Sequence, residues 1–330
     1  RYSALSYFGL LPATLVGVDV AKLLQRALTT SSRPNAGAYL GAIMGALAGD
    51  KVAIDKVTFI TSPTLASFGD WVEQLIAEST GKEGTGILPV VGEPVGAPDV
   101  YGDDRLFVDL RLAGDETNLD ALAALEAAGH PVVRLRLNDV YDLGGQFFLW
   151  EMATAVASYL LKINPFDQPN VESAKVLARK MVAAYQEAGA LPASDAKILS
   201  KANLHPIIAQ GKPSDYISLQ AYVQPTPETD AALAAIRLHF RDRRKLATTV
   251  GYGPRFLHST GQLHKGGPAN GVFLLLEGPD PTGTPDDLPV PGREYSLGRL
   301  FSAQAEGDAR TLRDRGRVLV RLRAGDNVPA

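Results

Sequence analysis

Short runs of β-branched and apolar residues recur along this chain, each followed by a stretch with helical spacing. That alternation restricts the fold more than any other feature. Asp55-Lys-Val-Thr-Phe-Ile-Thr61 reads as a buried strand closed by Ser62-Pro63, and a helix is predicted over 67–79 with Trp71, Leu75 and Ile76 on its apolar side. Ile87-Leu-Pro-Val-Val91, Leu106-Phe-Val-Asp-Leu-Arg-Leu112 and Pro131-Val-Val-Arg-Leu-Arg-Leu137 read as further strands. Asn118 can cap a helix that Gly129 stops. Strands that alternate with helices of this length predict βαβ units and a parallel sheet.

Before these units, residues 1–50 carry helical spacing at Leu5, Phe8, Leu11, Leu15 and Val18, with Pro12 expected to split or kink the pattern. After them, 143–161 reads as a long apolar helix broken by Asn164-Pro-Phe-Asp-Gln-Pro169. A helix is predicted from about Val171 to Ala188, with Gly189 as its stop. Residues 190–226 are rich in Pro, Ser and Asp and read as a connecting segment with short helical pieces. A helix opens at Thr226-Pro-Glu-Thr and ends in the basic run Arg241 to Lys245. A Gly-rich stretch (251–271), a strand from Gly271, a helix from Ser296 and a strand from Arg317 complete the chain. The expected division is a domain over 1–189, a connector over 190–226 and a second, smaller α/β unit over 227–330. The two strand–helix–strand runs from Arg105 and from Gly271 echo each other. Either the chain holds two α/β units of similar build, or any two βαβ units look alike.

Among 330 residues, Lys and Arg total 33 and Asp and Glu total 36, a net charge of −3 that argues against nucleic acid as a partner. The absence of cysteine excludes a disulfide scaffold, thiolate metal sites and cysteine nucleophiles, and fits a cytoplasmic location. No apolar run reaches the 18 or so residues needed to span a membrane. No His-x-x-x-His, Gly-x-Gly-x-x-Gly or Walker-type loop occurs, so no metal, dinucleotide or nucleotide cofactor is expected.

Three segments could carry chemistry. Glu78 sits where the predicted helix over 67–79 ends, in Ala77-Glu-Ser-Thr-Gly-Lys82. A helix C-terminus disfavours a carboxylate and raises its pKa, which suits a general base. Gln74, four residues earlier, could orient a hydroxyl. The alternative is an exposed glutamate at a fraying end. Lys175 follows a loop that offers Asp167 and Gln168; the alternative is an ordinary surface lysine on a capped helix. Phe256-Leu-His-Ser-Thr-Gly-Gln-Leu-His264 could be a polar ligand loop or a turn with a satisfied histidine.

Taken together, these segments and the opening resemble phosphoglucose isomerase. Arg1-Tyr-Ser-Ala-Leu-Ser resembles the family's Gly-Gly-Arg-Phe/Tyr-Ser signature, cut just after the glycines. Gln74 with Glu78-Ser79-Thr80-Gly81-Lys82 resembles its Gln-x-x-x-Glu-Ser-x-Gly-Lys stretch, which carries the catalytic base. Phe166-Asp-Gln-Pro-Asn-Val-Glu-Ser-Ala-Lys175 resembles Phe-Asp-Gln-x-Gly-Val-Glu-x-x-Lys, which ends in the catalytic lysine, with Asn170 in place of the glycine. Gly92-Glu93-Pro94 matches a family Gly-Glu-Pro, yet no histidine follows it until His130. Leu257-His258-Ser-Thr-Gly-Gln262 resembles the histidine stretch of the shorter bacterial isomerases but lies after Lys175. The tail near Ser296–Asp308 resembles bacterial transaldolase–phosphoglucose isomerase fusions, so an upstream transaldolase domain is expected, with the phosphate-gripping loop also upstream of Arg1.

The resemblance implies a sugar-isomerase (SIS) fold: a doubly wound parallel sheet flanked by helices. It implies interconversion of glucose 6-phosphate and fructose 6-phosphate through a cis-enediolate, with no cofactor and with room for a homodimer. Glu78 would shuttle the proton, Arg1 would stabilise the enediolate oxygen, and Lys175 and His258 would open the ring. Gln74 and Gln168 would hold hydroxyls or water. Ser79, Thr80, Gly81 and Lys82 would line the substrate site; His264, beside Lys265, is the runner-up to His258 as the catalytic histidine, or would instead meet phosphate. The alternatives are a sugar-phosphate-binding module without turnover and an assembly domain of a fusion enzyme.

Overall fold

The computed structural model describes residues 1–49, 52–170, 181–183, 187, 196–198, 211–280, 282–285 and 287–323. The chain divides into two compact units, Arg1–Asp167 and Gln168–Ala330. The helix expected from Val171 to Ala188 falls mostly outside the described residues, and so does Gly189.

Three helices open the first unit: α1 (Tyr7–Leu15), α2 (Val20–Ser31) and α3 (Ala38–Leu47). Ser6 caps α1 by accepting from the Phe8 amide at 3.2 Å, and Pro12 is carried in its second turn without splitting it. The βαβ units follow: β1 (Lys56–Thr61), α4 (Ala66–Thr80), β2 (Leu88–Val90), β3 (Arg105–Leu112), α5 (Leu119–Ala127), β4 (Val132–Leu137) and α6 (Leu143–Leu160). The strands are parallel in the order β2-β1-β3-β4. Asn118 precedes α5 in the left-handed region (φ 63°) and gives no side-chain cap; Gly129 (φ 93°) ends the helix as expected.

Period-two alternation separates two cores. Val57, Phe59, Leu106, Val108 and Leu110 face α3, α4 and α6, where Val72, Leu75, Ile76, Met44 and Trp150 are buried. Ile60 and Phe107 face the other way, onto Leu122 and Leu125 of α5. Helices thus cover both faces, which makes the sheet doubly wound. The α3–α6 contact is unusually close. Gly37, Gly41 and Gly45 form one stripe of α3, and a Cβ on Gly41 would stand 2.3 Å from the Ala153 carbonyl oxygen. Any side chain there would force the helices apart.

In the second unit, β5 (Lys197–Ile198), β6 (Tyr216–Tyr222), α7 (Pro227–Arg244), β7 (Ala247–Tyr252), α8 (Gly261–Gly266), β8 (Gly271–Glu277), α9 (Leu297–Asp314) and β9 (Val318–Arg323) are described. All strands are again parallel, in the order β5-β9-β8-β6-β7. The echo in the sequence is therefore topological. In both units the first long strand is flanked by the strand that follows it on one side and by the next strand on the other.

One expectation needs correction. The stretch read as a connector over 190–226 contains β6, an internal strand of the second sheet, buried along its length. The second sheet has five strands against four in the first. Among the described residues, no helix is long and apolar enough to cross a membrane.

Candidate active site

The last turn of α4 is the most buried helix end in the first unit. Ile76, Ala77, Ser79 and Thr80 are fully enclosed and Glu78 is 4% exposed. The reason is local. The Thr80 hydroxyl donates back to the Ile76 carbonyl (2.8 Å) and accepts from the Ile87 amide (3.0 Å), which binds the end of α4 to the start of β2. The cluster therefore lies at the amino edge of the sheet. Gly81 closes the helix, its amide donating to the Ala77 carbonyl.

Arg1 crosses this end. Its Nε stands 3.2 Å from Glu78 Oε2, with the Glu78 side chain buried and that of Arg1 12% exposed. The same guanidinium donates to the carbonyls of Glu78 (3.4 Å), Pro165 (2.8 Å) and Phe166 (3.4 Å), and to Ser79 Oγ (3.4 Å). Lys82 completes the clamp. Its ammonium, fully enclosed, donates to the carbonyls of Asn164 and Asp167 and to Asp167 Oδ1, each at 2.7 Å. Tyr2 packs on Phe166 with ring centroids 4.9 Å apart. Three segments distant in sequence, opening at Arg1, Glu78 and Asn164, are thus drawn together inside the first unit.

The electrostatics follow from this enclosure. Burial raises the Glu78 pKa above the ordinary glutamate value, while Arg1 and a hydrogen bond from Gln74 act to lower it. Burial lowers the Lys82 ammonium, opposed by Asp167. Glu151, on α6, was missed by sequence reasoning. Burial pushes its carboxyl up to about 7, its Oε1 has no hydrogen-bond partner among the described residues, and its charge helps raise the Tyr2 phenol, on which burial acts first. The signal was one acid in an otherwise apolar helix.

Glu93 does not join this cluster. Glu93 is buried against Arg105 (3.2 Å), whose guanidinium also donates to Thr58 (2.9 Å), so it ties the loop after β2 to the sheet. Arg1 also borders a cavity of about 440 Å³, but the other walls are mostly apolar, including Phe8, Phe68, Trp71 and Phe147, and Glu78 does not line it. Lys175 lies outside the described residues. Gln168 is the half-buried first residue of the second unit, and His258 is exposed there, next to α8.

His264 is 1% exposed in the core of the second unit. Its Nε2 is 3.4 Å from Ser218 Oγ and its Nδ1 is 3.2 Å from Gln220 Nε2, and burial holds its pKa well below the ordinary value. That is the setting of a neutral packed histidine rather than of an anion contact.

The chain is similar to glucose-6-phosphate isomerases. It is 29% identical over 219 residues to the glucose-6-phosphate isomerase of Lactobacillus helveticus, covering 53% of this chain and 49% of that protein. With the enzyme of Acholeplasma laidlawii the identity is 32% over 220 residues, covering 53% and 52%. The chain spans about half the length of these isomerase relatives. No family model matches it. A slight structural likeness links it to the C-terminal domain of glucosamine-fructose-6-phosphate aminotransferase from Francisella tularensis, at TM-score 0.24 and 9% identity, covering 89% of this chain and 96% of that one.

Proposed function

We propose that this chain carries the proton-transfer half of an aldose–ketose isomerase acting on a sugar phosphate, with glucose 6-phosphate and fructose 6-phosphate as the pair. One observation carries the reading: a buried Glu78 carboxyl of raised pKa, 3.2 Å from a guanidinium that is always charged. Moving a proton between C2 and C1 of an open-chain sugar needs a base whose pKa approaches neutrality. It also needs fixed positive charge where the enediolate oxygen develops. Glu78 takes the first role and Arg1 the second. Gln74 holds the carboxyl, and Ser79, Thr80, Gly81 and Lys82 shape the end of the helix around it. Lys175 and His258 act at the ring oxygen during opening, and Gln168 holds a hydroxyl. The curated relatives carry the name of this activity. An upstream transaldolase segment, location in the cytoplasm and pairing of two copies belong to the same proposal.

The test is deuterium exchange. In heavy water, the chain with fructose 6-phosphate should wash deuterium into the carbon-bound positions of the sugar, read by proton NMR even when net turnover is slow. Glu78→Gln should stop the exchange. Exchange that continues in that variant would place the base elsewhere. A second reading, binding without turnover, is favoured by the near-complete enclosure of Glu78. It predicts that fructose 6-phosphate binds and that no deuterium enters.

A further inference from the structure

Two stretches that stand out in the sequence meet inside the second unit. Gln168-Pro-Asn170 opens that unit, and Leu257-His-Ser-Thr-Gly-Gln262 ends 92 residues beyond Asn170. Gln262 Oε1 accepts from the Asn170 backbone amide at 2.9 Å, and Gln262 Nε2 donates to Asn170 Oδ1 at 2.7 Å. Both residues are buried. Arg315, just past the end of α9, borders the same side-chain amide. Turned over, the Asn170 oxygen accepts from that guanidinium at 3.0 and 3.1 Å, so Gln262 and Arg315 compete for it. The backbone bond to Gln262 is the same in either orientation. Asn170 is also where the sequence departs from the phosphoglucose isomerase pattern, whose glycine would bring no side chain to this contact.

Gln262 is one of three buried polar side chains on α8, each tied to a different element. His264 meets Ser218 and Gln220 of β6, and the Lys265 ammonium lies 2.7 Å from Asp308 Oδ1 on α9. Arg317, just before β9, donates to the carbonyls of Lys265 (3.1 Å), Gly267 (2.7 Å) and Pro268 (2.9 Å). A helix of six residues is too short to hold itself in place, so these attachments fix it. The turn Arg255–His258 runs into α8. Phe256 is buried against Tyr222, and its carbonyl accepts from the Ser259 and Thr260 amides, each at 3.0 Å. His258 is thus an exposed ring on a rigid base, and the Asn170 contact joins that base to the segment carrying Gln168.

We infer that Asn170 and Gln262 form a positioning pair for ring opening. Gln262 holds the His258 turn against the segment of Gln168, so that these two side chains keep one spacing. The inference rests on the reaction proposed above, in which His258 acts at the ring oxygen and Gln168 at a hydroxyl. Neither member of the pair touches the sugar. Groups held by buried hydrogen bonds do not have to be ordered again at each turnover. Without Gln262, the Asn170 amide loses its acceptor, and its segment must leave the turn to find another.

The experiment separates ring opening from proton transfer. Interconversion of the α and β anomers of glucose 6-phosphate opens and closes the ring without moving a proton between carbons, and exchange NMR reads its rate above the uncatalysed background. Deuterium wash-in reports the proton transfer at Glu78, so the two proposals can fail separately. Gln262→Leu should slow catalysed anomer interconversion at least about tenfold, the worth of roughly one hydrogen bond. Gln262→Glu keeps an acceptor for the Asn170 amide and should recover most of the rate. Gln262→Leu combined with His258→Asn should be no slower than His258→Asn alone, because the pair acts through that ring. If Gln262→Leu does not fold, Asn170→Ala, which keeps the backbone bond, takes its place with a smaller loss that again vanishes on His258→Asn. A lower thermal midpoint with the anomer rate unchanged would make the pair a packing contact and overturn the proposal. Additive losses in the double variant, equal losses in Gln262→Glu and Gln262→Leu, or a native chain that does not speed anomer interconversion would overturn it too.

Discussion

The two units share a strand order but finish their first crossover helix in opposite ways. In the second unit, α7 ends in Arg241, Arg243 and Arg244, with Lys245 as a left-handed cap (φ 58°), and Arg244 donates to the Gly211 carbonyl at 2.7 Å. Positive charge at a helix C-terminus is what the macrodipole favours. In the first unit, α4 ends in a buried glutamate, which both the dipole and desolvation oppose. Arg1, from another part of the chain, supplies the compensating charge. One helix end is built for stability. The other holds an unfavourable group in place, which is the pattern expected where a carboxylate has work to do.

The largest expected effect breaks the comparison at its chemical side. Glu78→Gln should lower turnover of fructose 6-phosphate by about 10²–10⁴-fold with little change in substrate affinity. Arg243→Gln, at the matching end of α7, should leave both within assay error. Steady-state kinetics on the two variants decides, and a loss of similar size in both would void the contrast.

Next comes the clamp. Lys82→Met deprives two carbonyls and Asp167 of their donor, at about 1.5–3 kcal/mol for a charged hydrogen bond. The fall in stability should appear by hydrogen exchange as lost protection at 164–167 and the end of α4, with β6 to β9 unchanged. Uniform loss across both units would contradict it.

A pH dependence sharpens the contrast further. The Glu151 carboxyl is pushed up to about 7 in the folded chain, so folding favours its protonated form. Its penalty is absent below the ordinary glutamate range, grows as pH rises towards 7 and is complete above it. Thermal midpoints of the wild type and Glu151→Gln should coincide near pH 4 and separate above pH 7, with the variant more stable. A gap of the same size at every pH would exclude titration as its cause.

The smallest effect tests the second unit. Arg243→Glu should cost about 0.3–1 kcal/mol by opposing the dipole of α7, and added salt should reduce the loss. A salt-independent loss would point to packing instead.

Much of the first unit was legible because its strands are apolar and bounded by turn residues, and β1, β3 and β4 fall within a residue of their expected limits. In contrast, β6 was hidden by its polar residues. Ile217, Leu219 and Ala221 face one core, whereas Ser218 and Gln220 are buried against His264, a partner 44 and more residues away that local pattern cannot reveal. β7 was hidden in the same way, since buried Thr248 is satisfied by Arg237 (3.0 Å). At the candidate site, the helix end and its carboxylate were legible, but the dominant cause of the raised pKa is burial, which depends on tertiary packing. The hold of the Asn164–Asp167 loop on the Lys82 ammonium was not legible either, because its partners lie more than 80 residues away.

The stripe of glycines on α3 has a consequence for how this chain can diverge. Every change at Gly41 adds atoms, and the carbonyl 2.3 Å from the nearest added carbon belongs to a backbone that cannot step aside. Positions of this kind cannot be explored one mutation at a time, because the compensating change would have to thin the opposite helix at Ala153, which is already nearly minimal. Tyr7, Phe8, Leu11 and Leu15 of α1 are all widely exposed and face no such restriction within this chain. Drift in a collection of descendants should therefore be sharply uneven over the first 50 residues, with α1 free to change its side chains and α3 held to hydrogen atoms at every fourth position.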